Sequence, residues 1–452
     1  MFSKILIANR GEIALRVIRA ARELGLKTVA VYSESDRNSL HTILADDKVC
    51  IGPARSSDSY LSIPNILGAA ELTKADAIHP GYGFLAENPR FAEICESSGI
   101  VFIGPQPAMI KLMGNKSLAR QEMRRARLPV LPGSDEVVQD LAEAKKIAKR
   151  MGYPVILKAA AGGGGKGMRI ARTRAQLEEQ FGLAQNEAKS AFNDASLYIE
   201  KYLPDSRHIE IQIIGDKHGN VVALGERECS IQRKHQKVIE ESPSPFVDDR
   251  LRKKMTKAAE DAARHIDYQS LGTFEFLVDE KERYYFMEAN TRIQVEHPIT
   301  EMVYSVDLVK EQIKIAAGEK LSIRDGMAMR GHGLECRINA EDPVTFSPSP
   351  GTIDFMVLPG GQGIRVDSAA YQGWQIPPDY DSLVAKIIAL APTRAEAIKK
   401  MQTALEMTTI VGIKTNLPLH LAILADTDFA EGRYNTQFME RFQQKNNNNN
   451  LK

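Results

Sequence analysis

Short apolar runs alternate with amphipathic stretches along the N-terminal part of the chain. Lys4 to Ala8 and Thr28 to Tyr32 are predicted strands, and Ile13 to Leu24 is a predicted helix that ends at Gly25. Further buried strands are predicted at 77–78 and 100–103. This order is typical of a doubly wound parallel sheet with helices on both faces.

The pattern changes twice further along the chain. A predicted helix over Leu141 to Met151 leads into a strand pattern with a run of glycines, and residues 197–290 are mostly strand-like around one helix near Asp249 to Ile266. After Gly331 the chain is rich in strands and turns, and a helix is predicted over Arg394 to Glu406. The polar run from Asn446 onward predicts a disordered tail.

The glycine run 161–167, Ala-Gly-Gly-Gly-Gly-Lys-Gly, lies between two strand-like segments. Adjacent glycines let successive backbone N–H groups approach phosphate oxygens closely. A P-loop would require Gly-Lys-Ser/Thr at the start of a helix, and here Gly167 follows Lys166. The segment predicts a flap over a nucleotide, with an ordinary flexible hairpin as the alternative.

A pair of carboxylates is predicted on a hairpin. If the turn is centred near Lys281 and Glu282, Glu275 lies opposite Glu288, where two like charges repel each other. A hard divalent cation would relieve that repulsion, and Asn290 would add an oxygen from the same face. The alternative is a pair of exposed carboxylates, which fits poorly with the apolar neighbours.

The next residues, Thr-Arg-Ile-Gln-Val-Glu from 291, continue the alternation. A continued strand would place Arg292, Gln294 and Glu296 on the face of Glu288 and Asn290. A guanidinium, an amide and a carboxylate suit a small planar oxyanion such as bicarbonate. An ordinary Arg–Glu ion pair is the alternative.

Composition narrows the function classes. The 452 residues carry 59 basic and 58 acidic side chains, so nothing indicates a nucleic-acid or membrane surface. The four cysteines lack Cys-x-x-Cys spacing, and no apolar run has membrane-spanning length. We therefore expect a cytoplasmic protein with neither disulfides nor a zinc site.

Several stretches, taken together and in order, resemble the biotin carboxylase family over nearly the whole chain. They are I-A-N-R-G-E-I-A at the start, H-P-G-Y-G-F-L-A-E-N from His79, F-I-G-P from Phe102, L-M-G-N-K ending at Lys116, the glycine run, R-H-I-E from Arg207, C-S-I-Q-R-K-H-Q-K from Cys229, M-E-A-N-T-R-I-Q-V-E-H-P from Met287 and E-C-R-I-N-A-E-D-P from Glu335.

The resemblance implies a fold and a reaction. The expected units are an N-terminal doubly wound parallel-sheet domain (1–114), an ATP-grasp domain (115–330) with a mobile glycine-rich lid (about 132–203), a mixed α+β C-terminal domain (331–445) and the tail (446–452). The expected reaction is ATP- and bicarbonate-dependent carboxylation of biotin through carboxyphosphate, the first half-reaction of acetyl-CoA carboxylase. A subunit of a two-subunit pyruvate or acyl-CoA carboxylase is the alternative.

The resemblance also implies residue roles. The ATP site would comprise Lys116, Lys158, Gly164, Gly165, Glu200, Lys201, Tyr202, Leu203, His208 and His235. The metal ligands would be Glu275, Glu288 and Asn290, holding Mg²⁺ or Mn²⁺ as two ions. Bicarbonate would contact Lys237, Arg292, Gln294 and Val295, with Glu296 as the base. Arg337 would stabilise the biotin enolate, with Tyr82 near that pocket.

Partners follow from the same resemblance. The chain has no Met-Lys-Met biotinylation motif, so biotin would be supplied in trans on a carrier protein, with carboxyltransferase subunits completing the system. A homodimer is expected because Arg19, Glu23 and Arg365 match the family's contact, although Gln362 departs from the usual phenylalanine. Lys166 and Ala161 also depart from the common glycine loop.

Two other functions compete with this one. Another ATP-grasp ligase, of the carbamoyl-phosphate-synthetase or purine-carboxylase type, should lack the stretches that begin at Arg292 and Glu335. A nucleotide-binding regulatory protein without catalysis should lack at least one of Glu275, Glu288, Arg292, Glu296 and Arg337, all of which are present.

Overall fold

The computed structural model describes residues 2–134, 136–160, 168–234 and 236–449. Its N-terminal part is a five-stranded parallel sheet in the order β3-β2-β1-β4-β5. The strands are β1 (Lys4–Ile7), β2 (Lys27–Tyr32), β3 (Asp47–Cys50), β4 (Ala77–His79) and β5 (Val101–Phe102), and the helices are α1 (Gly11–Glu23), α2 (Leu40–Leu44), α3 (Ile63–Thr73), α4 (Pro89–Ser97) and α5 (Pro107–Gly114).

Helices cover both faces of this sheet. Ile5 and Ile7 pack into the same core as α1, whereas Leu6 packs with α3 and α4 on the other face. All three side chains have no exposed surface, as expected for a parallel strand covered on both sides. The predicted doubly wound sheet is confirmed.

A smaller antiparallel sheet lies within the expected lid, in the order β7-β6-β8. Its elements are α7 (Leu141–Met151), β6 (Val155–Ala159), β7 (Met168–Ala171), α8 (Arg174–Phe192) and β8 (Leu197–Lys201), and α6 (Lys116–Arg125) precedes them. Asp140 and Thr173 accept hydrogen bonds from the first turns of α7 and α8, which sets where these helices begin. The two helices share a separate core with β6 and β8.

An eight-stranded sheet forms the centre of the molecule, in the order β13-β12-β9-β10-β11-β14-β19-β17. Its first five strands are β9 (Arg207–Gly215), β10 (Val221–Arg233), β11 (Gln236–Ser242), β12 (Ser270–Val278) and β13 (Tyr284–Asn290), accompanied by α9 (Asp249–His265), α10 (His297–Tyr304) and α11 (Leu308–Ala316). β11 pairs antiparallel with β14, so the sheet continues across the boundary expected at residue 330.

The C-terminal part completes this sheet and adds two short ribbons, β15-β18 and β16-β20. Its elements are β14 (His332–Asn339), β15 (Gly351–Thr352), β16 (Phe355–Val357), β17 (Ile364–Ser368), β18 (Gln375–Ile376), β19 (Leu383–Ala391), α12 (Arg394–Glu406), β20 (Thr409–Val411), α13 (Leu417–Leu424), α14 (Thr427–Ala430) and α15 (Phe438–Asn449). No helix among the described residues is long and apolar enough to cross a membrane.

Helix α15 is the last described element of the chain. Phe438, Met439 and Phe442 are buried in the C-terminal core and anchor the helix. Its backbone is helical to Asn449, and residues 450–452 lie outside the described residues. The disordered tail from residue 446 stays a prediction.

Glu241 at the end of β11 ties three C-terminal segments to the central sheet. Its fully buried carboxylate accepts hydrogen bonds from His332 at 2.6 Å, from Arg394 at 2.7 Å and from Tyr434. Burial alone would raise the pKa of Glu241, but His332 and Arg394 outweigh burial and lower this pKa to about 2.

We expect Glu241→Gln to destabilise the protein by about 3 kcal/mol at pH 7, because it leaves Arg394 without its buried charge partner. An ordinary glutamate has a pKa of about 4.3, so the stabilisation is complete above that pH and is lost as the pH falls towards 2. Thermal unfolding of both proteins from pH 8 to pH 3 should show a gap that narrows below about pH 4. Glu396→Gln, on the exposed side of α12, is the control; an equal gap at every pH would contradict the prediction.

Candidate active site

Glu275 on β12 and Glu288 on β13 are paired residues of one hairpin. Next to the turn, Val278 pairs with Tyr284, a register that would place Glu275 opposite Met287. An irregularity between Phe276 and Glu275 shifts the pairing by one residue and restores the predicted Glu275–Glu288 opposition. The predicted pairing is confirmed, and it depends on a bulge that the alternation pattern did not reveal.

The expected metal ligands form an oxygen-rich group at this end of the hairpin. Asn290 donates from Nδ2 to Glu275 Oε1 at 2.8 Å, and the Lys116 ammonium lies 3.7 Å from Glu288 Oε2. The side chain of Glu275 is 6% exposed, whereas that of Glu288 is 39% exposed. Two carboxylates and an amide oxygen suit a hard cation such as Mg²⁺ or Mn²⁺, with one side open to further oxygen ligands.

The segment after Asn290 differs from the prediction. β13 ends at Asn290, and residues 291–296 form turns and loop, so the expected continuous strand face is wrong. The backbone departs because Glu87 accepts from the Thr291 N–H at 2.9 Å and from Arg292 Nε at 2.8 Å. Side chains from this loop nevertheless reach the region of Glu275.

The side chains of Arg292 and Gln294 bind different residues. Arg292 donates from Nη2 to Asn290 Oδ1 at 3.0 Å, which keeps its guanidinium beside the carboxylate hairpin. Gln294 is buried and donates to Glu275 Oε1 at 2.9 Å. Gln294 therefore binds a proposed metal ligand, and Arg292 lies at the edge of the site.

Glu296, at the end of the loop, lies between two cations. It accepts from Lys237 Nζ at 2.5 Å and from Arg337 Nη2 at 2.9 Å. Burial alone would raise the pKa of Glu296, but Lys237 and Arg337 hold it well below its usual range. Lys237 also donates to Glu275 at 3.1 Å, so one ammonium joins the carboxylate hairpin to the predicted base.

Two central residues were not predicted from the sequence. Glu210 on β9 accepts from Lys237 and from Arg227, and Arg227 on β10 has no exposed side-chain surface. Arg227 also donates to Gln294 Oε1 at 2.6 Å. Glu210 lies in a strand segment that alternates polar and apolar residues, and Arg227 is the middle of three consecutive charged residues. Charged residues within predicted strands are the signal that would have indicated them.

The C-terminal part holds the loop from its other side. Lys386 on β19 is fully buried and donates to the carbonyl oxygen of Val295 at 2.8 Å. The same ammonium lies 3.0 Å from Glu12 on α1, and Glu12 in turn accepts from Tyr82. Val295 and Tyr82, both expected near the substrates, are thus connected through one buried ion pair.

The expected nucleotide residues lie on both sides of a cleft between α6 and the small sheet. The cleft is lined by Lys116, Arg120, Lys158, Tyr198 and Glu200, among others. Glu200 accepts from Lys158 at 2.5 Å and from Arg120 at 2.6 Å. Burial alone would raise the pKa of Glu200, but Lys158 and Arg120 outweigh it and lower this pKa. The cleft is therefore lined by cations held in place by one carboxylate.

Other predicted ATP residues have different surroundings. His208 Nε2, on β9, lies 2.9 Å from Glu275 Oε2, so this histidine contacts the carboxylate hairpin. The Lys201 ammonium donates to the carbonyl oxygens of Gly152 and Tyr153, while Tyr202 and Leu203 follow β8 without an ionic side chain. Gly164, Gly165 and His235 lie outside the described residues.

Comparisons with known proteins identify the class of this arrangement. Family models match three consecutive parts of the chain: the biotin carboxylase N-terminal domain over 1–110, the carbamoyl-phosphate synthase L chain ATP-binding domain over 115–324 and the biotin carboxylase C-terminal domain over 335–441. The fold and site are those of an ATP-dependent ligase with an ATP-grasp nucleotide site, as expected.

Individual relatives agree over nearly the full length. Biotin carboxylase 1 of Bacillus subtilis is 54% identical, with 98% of this chain and 99% of the relative aligned. A biotin carboxylase–β,γ-ATP complex from Campylobacter jejuni has a TM-score of 0.95 at 49% identity, covering 98% of this chain and 99% of its own. The chain belongs to the biotin carboxylase family, which confirms the resemblance.

A third relative was solved with ligands bound. The biotin carboxylase domain dimer of 2-oxoglutarate carboxylase from Hydrogenobacter thermophilus, solved with MgADP, ADP and bicarbonate, has a TM-score of 0.93 at 50% identity and covers 98% of each chain.

We expect Arg227→Met to destabilise the protein by about 3–5 kcal/mol, because it leaves Glu210 buried with one fewer cation and several polar groups without a donor. Thermal unfolding should show this loss as a lowered Tm. Arg125→Met, an exposed arginine on α6, is the matched control. An unchanged Tm for Arg227→Met would show that the buried guanidinium is not required for the packing around it.

Proposed function

We propose that this chain uses ATP and bicarbonate to carboxylate biotin carried by a separate protein. The observation that carries the proposal is the position of Glu296, a buried carboxylate bound by Lys237 and Arg337 next to the Glu275–Glu288 hairpin. A base, an anion-binding pair of cations and an oxygen-rich metal site are the groups that phosphoryl transfer to bicarbonate requires.

On the nucleotide side, Lys116 and Lys158 bind the ATP phosphates. Lys158 projects from β6 into the cleft, and Lys116 connects the cleft to Glu288. The backbone N–H groups of the glycine run, with Gly164 and Gly165, would bind the phosphates, and residues 200–203 would contact the adenine. His208 and His235 complete this set. We place the functional divisions of the chain at 1–114, 115–330 and 331–445.

Glu275, Glu288 and Asn290 would hold Mg²⁺ or Mn²⁺, as two ions, and the metal would neutralise charge on the transferring phosphoryl group. The all-oxygen donor set and the exposure of Glu288 fit a cation that also binds nucleotide oxygens. Lys116 and Lys237 add fixed positive charge on either side of the hairpin.

In the first chemical step, Glu296 takes the proton of bicarbonate while a bicarbonate oxygen attacks the γ-phosphorus and ADP leaves, forming carboxyphosphate. Arg292, Gln294, Lys237 and the Val295 backbone orient bicarbonate. Because Lys237 and Arg337 lower the pKa of Glu296, its carboxylate is ionised and ready to accept a proton. Bicarbonate binding would draw these cations away from Glu296 and make it more basic.

In the second step, carboxyphosphate breaks down to carbon dioxide and phosphate, the phosphate takes the biotin N–H proton, and the resulting enolate attacks carbon dioxide. Arg337 stabilises the negative charge on the biotin oxygen. Its guanidinium is fixed by Glu240 at 2.6 Å and by Glu296, so both steps share one anchored residue. Tyr82 and Lys386 line the adjacent side of the proposed biotin pocket.

Partners follow from the same assignment. We propose a homodimer that works with a biotin carboxyl carrier protein and carboxyltransferase subunits in the cytoplasm, as part of acetyl-CoA carboxylase. Arg19 and Glu23 are exposed on α1, where Arg19 lies 4.0 Å from Asp367 and Glu23 pairs with Lys310. Arg365 binds Glu301 and Asp367. A pyruvate or other acyl-CoA carboxylase is the alternative, since the site described does not contact the final acceptor.

We expect Arg337→Ala to lower biotin-stimulated ATP turnover by at least about a hundredfold, because the enolate loses its stabilising cation. The assay is ATP hydrolysis with Mg²⁺ and bicarbonate, with and without free biotin. Arg283→Ala at the exposed hairpin tip is the matched control. Wild-type turnover that ignores biotin would favour another ATP-grasp ligase.

We expect Glu288→Gln to raise the Mg²⁺ concentration required for half-maximal turnover by about tenfold or more, because one charged oxygen ligand is lost. Turnover measured against Mg²⁺ at saturating ATP gives this value. Glu280→Gln, an exposed residue of the same hairpin, should match wild type. An unchanged Mg²⁺ dependence would exclude Glu288 from the metal site.

A further inference from the structure

Behind Arg337, two carboxyl groups lie side by side in the middle of the eight-stranded sheet. Glu240 on β11 and Glu335 on β14 are direct cross-strand partners, and neither residue has exposed surface. Paired residues share one face of the sheet with Cβ atoms about 5 Å apart. Arg337, two residues after Glu335 on β14, projects from the same face.

The hydrogen bonding of this carboxyl pair is incomplete for two charged groups. Glu240 Oε1 accepts from Arg337 Nε at 2.6 Å. For Glu240 Oε2 and both oxygens of Glu335, no described residue provides a donor. An ionised carboxylate buried without donors is strongly disfavoured, and two such charges beside each other are disfavoured further. One proton on the pair removes both penalties.

The two lysines nearest the carboxyl pair bind other groups. Lys386, opposite Arg337 on β19, binds the Val295 carbonyl and Glu12. Lys237, on the strand of Glu240, binds Glu210, Glu275 and Glu296. The other titratable groups near the pair are Glu296 and the buried thiol of Cys229, whereas the Cys336 thiol lies on the opposite face of β14, in the apolar C-terminal core. Arg337 is thus the cation that binds the pair directly.

The acidities of the two groups agree with this geometry. Burial raises the pKa of Glu240 to about 7, even though Arg337 opposes the effect. Burial also raises the pKa of Glu335 well above the usual range, and the charge of Glu240 adds to that increase. At pH 8 the pair carries one negative charge, on Glu240, where the guanidinium lies.

We propose that Glu240 and Glu335 hold a single proton, with Glu335 the neutral acid and Glu240 the ionised positioning residue that orients Arg337. This inference rests on the role proposed for Arg337 in the biotin step. When Glu240 is protonated, the pair holds two protons and Arg337 keeps only Glu296 as an ionised partner, so the guanidinium is less firmly oriented and the biotin-dependent step slows. Glu240 is ionised above its pKa, so the biotin-stimulated rate falls as the pH decreases through about 7.

The proton is tested directly by infrared spectroscopy of wild type, ¹³C-glutamate-labelled wild type, Glu335→Gln and the exposed control Glu319→Gln, all at pH 8. We expect a carbonyl band of a neutral carboxylic acid that shifts on labelling, is lost in Glu335→Gln and is retained in Glu319→Gln. Absence of any label-sensitive band in wild type overturns the proposal, whether or not a variant folds. Persistence of the band in Glu335→Gln does the same.

The positioning role is tested by the pH dependence of biotin-stimulated turnover. We expect Glu240→Gln to lower kcat about tenfold or more at pH 8 and to remove the decrease near pH 7, while Glu335→Gln stays within about threefold of wild type and keeps that decrease. A Glu240→Gln profile that retains the wild-type decrease overturns the role, as does a Glu335→Gln profile as slow as Glu240→Gln. If wild type shows no biotin stimulation, the proposed function fails, and the infrared result still decides the shared proton.

Discussion

Arg227 lies in β10 with no exposed side-chain surface and donates hydrogen bonds to Glu210, Gln212, Thr273, Gln294 and Thr300. These partners come from β9, β12, the loop after β13 and the first turns of α10, so one guanidinium fixes four segments relative to each other. A buried arginine is stable only when its donors are satisfied and its charge is balanced. That requirement constrains the positions of β9 and β12 relative to β10.

From this residue, opposite charges alternate across the sheet. Glu210 is shared by Arg227 and Lys237, and Lys237 is shared by Glu210, Glu275 and Glu296. Arg337 then joins Glu296 to Glu240. Each group is stabilised in its charged form by its neighbours, except at the Glu240–Glu335 pair, where carboxyls outnumber the available cations. The alternation leaves the proposed base Glu296, the cations Lys237 and Arg337, and their partners each in contact with an opposite charge.

Much of this structure was predictable from the sequence. Alternation and turn residues predicted the parallel sheet, the helices Leu141–Met151 and Arg394–Glu406, and the Glu275–Glu288 pairing. The bulge that produces this pairing was not predictable, since a single inserted residue leaves no periodic signal. The loop at 291–296 was read as strand because its polar residues alternate, and the competing contact with Glu87 comes from a distant segment.

For a related reason, the sequence did not predict four buried charged residues: Glu210, Arg227, Glu240 and Lys386. Each is a charged residue in a strand, where local sequence favours a solvent-exposed position, and only tertiary pairing shows that it is buried. The boundary expected at residue 330 falls within a continuous sheet. Composition changes there, yet β11 and β14 pair directly and the sheet does not end.

This continuity has a mechanistic consequence. The loop that carries Glu296 is held by Arg227 through Gln294 from the central strands and by Lys386 through Val295 from the C-terminal strands. Glu296, in the loop, and Arg337, in β14, are thus held at hydrogen-bond distance by strands of one continuous sheet. The small sheet with Lys158 has its own core and lies across a cleft from α6. Opening that cleft would admit nucleotide without disturbing Glu296 and Arg337, and under the proposed mechanism these two residues keep their relative positions through both chemical steps.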